Sequence, residues 1–289
     1  MDQDRLKEGV LCSLKMGRWN ASTKLNPDEF GDKVPREIMK ASQDLIHDRS
    51  ILNDLAHLRR RAKYALLMNS MPFPVDNVFF VPKHKITELD DLFNEIRAEY
   101  DSKTEELVSR YSALKREFRK RYPAYYKSQK YPSKQGLRSK FYFYWNFFQF
   151  DIPDKDSGVL PPSLYKKEAE KFRNMVSQME EMTINMIGNL LYKRVKTLET
   201  QCESGSINAA TVQSVENFIT KWEDLWEGHV DQIKFKNIIN SLRREMKKTS
   251  TEVLKDNEQV RIKLGSKLGK IIDRIQNVPN LELKRRLDI

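Results

Sequence analysis

Apolar residues recur along most of this chain at helical spacing, and the departures from that spacing mark its other elements. Near the start, Val10, Cys12, Leu14 and Met16 alternate with polar neighbours, which predicts a half-buried strand over 10–19. Asn26-Pro27-Asp28 marks a turn. From about Pro35 to Leu67 the reading is helical, with Ile51, Leu55, Leu58, Ala62 and Leu66 on one stripe and Arg59-Arg60-Arg61 beside it. Met71-Pro72-Phe73-Pro74 ends that helix, because proline lacks an N–H and restricts the residue before it.

The clearest periodicity follows Thr87, a good N-cap residue with Asp90 three positions on. Leu89, Leu92, Ile96, Tyr100, Lys103, Leu107, Tyr111, Leu114 and Phe118 alternate steps of three and four, a heptad seam broken only by Lys103. A helix of about 35 residues spans roughly 50 Å. Acids at its start and bases at its end complement its dipole, and Pro123 closes it.

Residues 141–150, FYFYWNFFQF, hold eight aromatics in ten positions. Both faces are apolar, so alternation says nothing, and aromatic enrichment predicts an extended strand buried on both sides. Paired with 10–19 it makes a small two-stranded β element. Pro161-Pro162-Ser163 then opens a helical region. Phe172, Val176, Met179, Met186, Leu190 and Leu191 mark a long helix ending near Gly205. Thr211–His229 is a second helix, and a third runs through Ile238, Leu242, Met246 and Val253. The last carries Val260, Leu264, Leu268, Ile271 and Ile275 before Pro279. The expected fold is mainly α: a strand with a long helical hairpin or coiled coil over 1–153, a helical bundle over 162–278, and a tail at 279–289.

Composition agrees with long amphipathic helices: 39% of residues are hydrophobic, 32% charged, and only 10 glycines and 11 prolines punctuate the chain. No apolar run is long enough for a transmembrane helix. The polar start, Met1-Asp2-Gln3-Asp4-Arg5, does not resemble a signal peptide. Cys12 and Cys202 read as free thiols of a reducing compartment, so a cytoplasmic location is expected.

Searches for chemistry return little. His47, His57, His84 and His229 form no metal-ligand spacing, and no phosphate-cradling loop or nucleophile elbow occurs. No catalytic residue, cofactor or metal is expected, and the chain does not read as an enzyme. Met175, Met179, Met182 and Met186 fit an adaptable core or docking surface.

Charge is the exception. Of the net +11, residues 115–140 supply +9, from ten bases against the single acid Glu117. Residues 88–106 hold eight acids against Arg97 and Lys103. The basic stretch interleaves cations with Phe118, Tyr122, Tyr125, Tyr126 and Tyr131, as nucleic-acid surfaces do. It also suits a basic turn of a helical hairpin whose charges pair with acids on the partner helix. Candidate binding residues are Arg116, Arg119, Lys120, Arg121, Tyr125, Tyr126, Lys127 and Lys130.

The order of several short motifs carries a resemblance. Leu14-Lys15-Met16-Gly17-Arg18-Trp19 precedes Leu58-Arg59-Arg60-Arg61-Ala62; a loop with Val81-Pro82, the heptad helix and the aromatic run ending in Asp151-Ile152 follow. In this order the chain resembles a family of unknown function found in phages, plasmids and integrating elements. Its members are similar in being encoded beside a MoxR-type AAA+ ATPase and a von Willebrand A-domain protein. The resemblance implies a partner or adaptor of such an ATPase, and supplies no catalytic residues.

Two functions are therefore expected, the first leading and the second its alternative. One is a non-enzymatic helical adaptor of a mobile element, bound to an AAA+ ATPase or von Willebrand A-domain protein and open to self-association. The other is a nucleic-acid-binding protein of phage or plasmid replication or recombination, acting through 115–140.

Overall fold

A computed structural model describes residues 8–24, 42–149, 159–226, 232–279 and 281–283. In chain order the elements are β1 (Gly9–Met16), β2 (Ser22–Lys24), β3 (Ser42–Asp44), α1 (Ser50–Met68), β4 (Met71–Pro72), β5 (Val78–Pro82), α2 (Ile86–Arg121), α3 (Lys134–Arg138), β6 (Phe143–Phe148), α4 (Pro162–Ser204), α5 (Ala209–Lys221), α6 (Gln232–Met246), α7 (Thr251–Asp256) and α8 (Glu258–Gln276). The fold is mainly α. Strands β4-β5-β1-β6 form one sheet in that order, and β2 and β3 pair antiparallel with Thr23 opposite Gln43.

The chain divides into two compact units. The first comprises Met1–Cys12, Leu66–Ile86 and Phe147–Ile289; the second comprises Ser13–Ala65 and Thr87–Asn146. The loop expected as a boundary, 153–163, lies within the first unit's last stretch, and its residues 153–158 are outside the described residues.

In the first unit α4, α5, α6 and α8 enclose a core containing Leu191, Val195, Leu198, Phe218, Trp222, Phe235, Leu242, Leu268 and Ile275. Gly205 ends α4 at φ +73°, a left-handed cap that glycine adopts without strain. Asn208, Ser250 and Asn257 cap α5, α7 and α8 by accepting from backbone N–H groups. The segment after α8 is tied down: Asn185 Oδ1 accepts from the Glu282 N–H at 2.7 Å, and Leu281 packs over Gly188.

The second unit is built on α2. Its buried face is Leu89, Phe93, Ile96, Tyr100, Thr104, Leu107, Tyr111, Leu114 and Phe118. Phe93 and Thr104 take the places expected for Leu92 and Lys103. Lys103 sits beside the seam, where it pairs with Asp54 at 3.2 Å and Glu106 at 3.0 Å. Aromatic side chains from the returning strand segment cover the seam, with Phe143 and Trp145 on Phe93 and Phe141 on Tyr100. Gly17 allows this close approach, since a Cβ there would lie 2.3 Å from the Lys140 carbonyl oxygen.

Other expectations are corrected by tertiary context. Residues 42–44 form β3, and α1 begins only at Ser50, so the helix expected from Pro35 is shorter; its residues 35–41 and the turn at 26–28 lie outside the described residues. The α2 helix begins at Ile86, directly after a 3₁₀ turn at Lys83–Lys85, so Thr87 stands in its first turn rather than at its cap. The expected strand 10–19 ends at Met16, and two strands, β4 and β5, occupy the segment read as a proline loop. The helix expected over Thr211–His229 is α5 followed by a π turn at Trp222–Trp226, with His229 outside the described residues. Val253 belongs to the separate α7 and is exposed.

The aromatic run alternates after all. Phe141 and Phe143 are buried, Trp145 is half-buried, and Tyr142, Tyr144 and Phe148 are exposed. As the end strand of the sheet β6 is covered on one face, so its aromatic content exceeds the surface available to bury it; Phe150 is outside the described residues.

Candidate functional site

The geometry of the basic stretch follows from how α2 is held. Arg61 on α1 reaches Glu95 and Glu99, the latter at 2.6 Å; Asp54 meets Lys103, and Asp48 accepts from Arg110 at 3.0 Å. As the α1 numbers fall the α2 numbers rise, so the two helices run antiparallel. The chain beyond α2 folds back along it in the same sense. The Tyr111 hydroxyl donates to the Pro132 carbonyl at 2.9 Å and Arg138 Nε donates to Glu105 at 2.6 Å; from the other side, the Tyr100 hydroxyl donates to the carbonyl of Gly17, just after β1, at 2.6 Å. Burial pushes the Tyr100 hydroxyl up to about 12, and raises Tyr111 as well.

These contacts engage the acids in the middle of α2, and Glu117 is the one acid of the helix beyond Arg110. Beyond Arg110, α1 has no further turn to offer, and about three turns of α2 extend past it. There Arg116, Arg119, Lys120 and Arg121 are exposed, and none forms an ion pair among the described residues. Pro123 breaks the helix, and two 3₁₀ turns, Pro123–Tyr125 and Ser128–Lys130, carry the chain across the tip. Ser133 then caps α3 by accepting from the Gly136 N–H at 3.0 Å.

The eight candidates separate into two groups. Arg116, Arg119, Lys120, Arg121, Tyr125 and Lys127 are exposed, whereas Tyr126 and Lys130 are half-buried. Tyr126 lies on Tyr131 with ring centroids 4.9 Å apart, and the Arg119 guanidinium sits over it at 5.7 Å. It therefore supports the tip and holds Arg119 in place. Lys115 is similarly set over Tyr111 at 4.7 Å.

Sequence reasoning did not find the far wall of this site. A cleft of about 270 Å³ is lined by Phe118, Tyr122 and Tyr125 on one side and by Gln43, Asp44, Ile46 and His47 on the other. Gln43 Nε2 donates to the Tyr125 carbonyl at 2.7 Å, which ties β3 to the tip. His47 and Tyr122 have ring centroids 6.1 Å apart, and Phe118 and Tyr122 5.2 Å. Arg49 pairs with Asp44 and donates to the Asn20 carbonyl, fixing the loop that follows β3. Residues 42–47 were read as helix, so only Tyr125 among the lining residues was a candidate.

Among the described residues no group of three or more His, Cys, Asp and Glu is placed to hold a metal ion, and no helix is long and apolar enough to cross a membrane. The model of a protein family of unknown function, DUF3150, matches residues 6–197. The chain belongs to the DUF3150 family. The DUF3150 match runs from the start of β1 into α4 and so contains the whole basic tip and its cleft. No curated protein and no solved structure matches the chain.

Proposed function

We propose that this protein is a non-catalytic binding protein, that its working surface is the basic, tyrosine-bearing tip of α2, and that the partner of that tip is a nucleic acid. One observation carries the reading: Arg116, Arg119, Lys120 and Arg121 share an exposed end of the helix where Glu117 is the one acid, and none of them forms an ion pair among the described residues. A basic turn that served only the hairpin would place its charges against the acids of the neighbouring helix, and those acids are already occupied lower down. Unpaired, clustered guanidinium and ammonium groups next to exposed rings suit a phosphate backbone.

The test is fluorescence anisotropy with a short labelled oligonucleotide over a salt series. Affinity should fall linearly in log salt, at about 0.7 per phosphate neutralised on a single strand. Replacing Arg116, Arg119, Lys120 and Arg121 by Gln should flatten that slope by up to about 3 units. No binding at low salt would reject the reading.

A second reading keeps the protein as an adaptor in a multi-protein assembly of a mobile element, docked to a MoxR-type AAA+ ATPase or a von Willebrand A-domain protein. It is supported by Tyr142 and Tyr144, exposed together with ring centroids 5.7 Å apart. Paired aromatics of this kind are common anchors of protein interfaces. Pull-down of the ATPase by wild type, and its loss in a Tyr142→Ser, Tyr144→Ser variant, would favour this reading.

A further inference from the structure

The cleft beside the basic tip differs in character from the surface around it. Its rim is cationic, yet its walls are rings: Phe118, Tyr122 and Tyr125 face His47 across it. Tyr125 is 61% exposed, so its ring stands largely in water, whereas Tyr122, 37% exposed, packs on Phe118. The backbone beneath them is not loose. The Tyr125 carbonyl is held by Gln43, and the Tyr125 N–H donates to the Tyr122 carbonyl at 3.1 Å. An exposed ring on an anchored backbone loses little freedom when a flat ligand stacks on it.

We propose that this cleft receives one unpaired nucleobase, so that the ligand of the tip is a single-stranded nucleic acid; the inference rests on the reading of the tip as a phosphate-binding surface. Three features point to a base. First, size: a cavity of about 150 Å³ holds a benzene ring, so a cleft of about 270 Å³ has room for one base and not for a stack. Second, the lining offers an acceptor. Asp44 is paired with Arg49 through Oδ1, and its other oxygen can accept from the exocyclic amine of cytosine or adenine. Third, the cations stand outside it. Arg119 is held over Tyr126, away from the cleft lining, where it can meet the backbone of a strand whose base turns inward. A duplex offers the rim its phosphates, but its bases are paired and stacked and cannot enter.

The full-length chain is tested with a short labelled single strand and with the same sequence closed as a hairpin duplex, at matched salt. The single strand should bind roughly tenfold more tightly, the increment expected of one stacked base. Tyr125→Ala should remove that advantage without changing the salt slope, and Tyr125→Phe should restore it. A strand carrying 5-iodouracil should photo-crosslink to the tip, at Tyr122, Tyr125 or His47. The variant should keep its fold, since the ring is exposed and the Gln43 bond is to backbone. Equal affinity for the two forms, unaffected by Tyr125→Ala, overturns the base site and leaves the nucleic-acid reading standing. Absence of all oligonucleotide binding overturns both. Loss of a protein complex in Tyr125→Ala, with no strand bound by wild type, assigns the cleft to a protein and overturns the proposal.

Discussion

The two ends of α2 carry the same kinds of side chain and use them differently. Between Glu95 and Arg110 the charges are matched: Arg61, Lys103 and Arg138 each meet a carboxylate of a neighbouring segment, and Arg110 meets Asp48. Beyond Arg110 the ion pairs run out: Arg116, Arg119, Lys120 and Arg121 form none among the described residues, although Arg119 lies over the Tyr126 ring. Surface ion pairs are worth about 0.2–1 kcal/mol each, so the matched half gains register and orientation more than stability. By the same arithmetic the unmatched half loses little stability by going unpaired. The position of a charge relative to the end of its packing partner, rather than the number of charges, separates scaffold from surface here.

The largest effect should fall on the matched half. Phe93 is fully buried against Phe143 and Trp145, with centroids 6.2 and 5.2 Å away. Phe93→Ala should lower unfolding free energy by about 3–5 kcal/mol in a denaturant titration. Trp145 is half-buried and its indole N–H donates to Asp90 at 2.8 Å, so Trp145→Ala should cost less, about 2 kcal/mol. If Trp145 proved as costly as Phe93, its outer edge would have to be covered by something beyond this chain.

This ordering was only partly legible in the sequence. The step of three and four along α2 is local, and it identified seven of the nine buried positions, missing Phe93 and Thr104. What covers those positions is not local. Whether a seam meets another helix or the aromatic edge of a sheet depends on chain reversal at Pro123, and the heptad pattern is the same in both cases. The run 141–150 shows the converse. Its apolar pattern hid the alternation, because tyrosine tolerates the outer face as well as the inner. The basic tip was visible as composition, but the cleft was not. Gln43, Asp44 and His47 join it through a short strand pair, β2–β3, whose three-residue elements carry no periodic signal.

Tyr100 sharpens the comparison through pH. Its hydroxyl is buried and bonded to the Gly17 carbonyl, and its folded pKa of about 12 lies above the usual value of 10. The neutral phenol is the form the fold favours. Its contribution is therefore complete below pH 10 and is lost as pH rises from 10 toward 12. Tyr111, raised by burial, and Tyr131, pushed up to about 12, act in the same direction. Stability should decline over that window by as much as about 1.4 kcal/mol per pH unit for each group. Tyr100→Phe should lower stability by about 1 kcal/mol at neutral pH and shallow the alkaline decline, as followed by thermal melts at a series of pH values. An unchanged decline would mean that the phenol is reached by solvent in the folded state.

The ion pairs themselves should matter less. Arg61 bridges Glu95 and Glu99 but is itself about one-third exposed, so screening by water reduces the value of both bonds. Arg61→Gln should cost about 1 kcal/mol at low ionic strength and less in high salt.

The smallest effect should be at the tip, and there its sign is the informative quantity. Arg116, Arg119, Lys120 and Arg121 lie within two turns of one another, lie off the buried face of α2 and have one acid, Glu117, among them. Folding brings them together, and beyond Glu117 they are screened by water and salt. Arg119, Lys120 and Arg121 do sit at the C-terminal end of the helix, where a cation is favoured by the dipole by about 0.3–1 kcal/mol. Mutual repulsion opposes that gain, so replacing all four by Gln should change stability by no more than about 0.5 kcal/mol. The salt response should separate the two contributions. If repulsion dominates, wild type melts higher at raised salt and the Gln variant loses that rise. If the dipole dominates, the variant is the less stable protein at low salt and the difference closes as salt is added. The first outcome is expected, because four like charges outnumber one helix end. A fall of several kcal/mol in the variant would break the comparison, since it would mean that the tip cations are part of the scaffold after all.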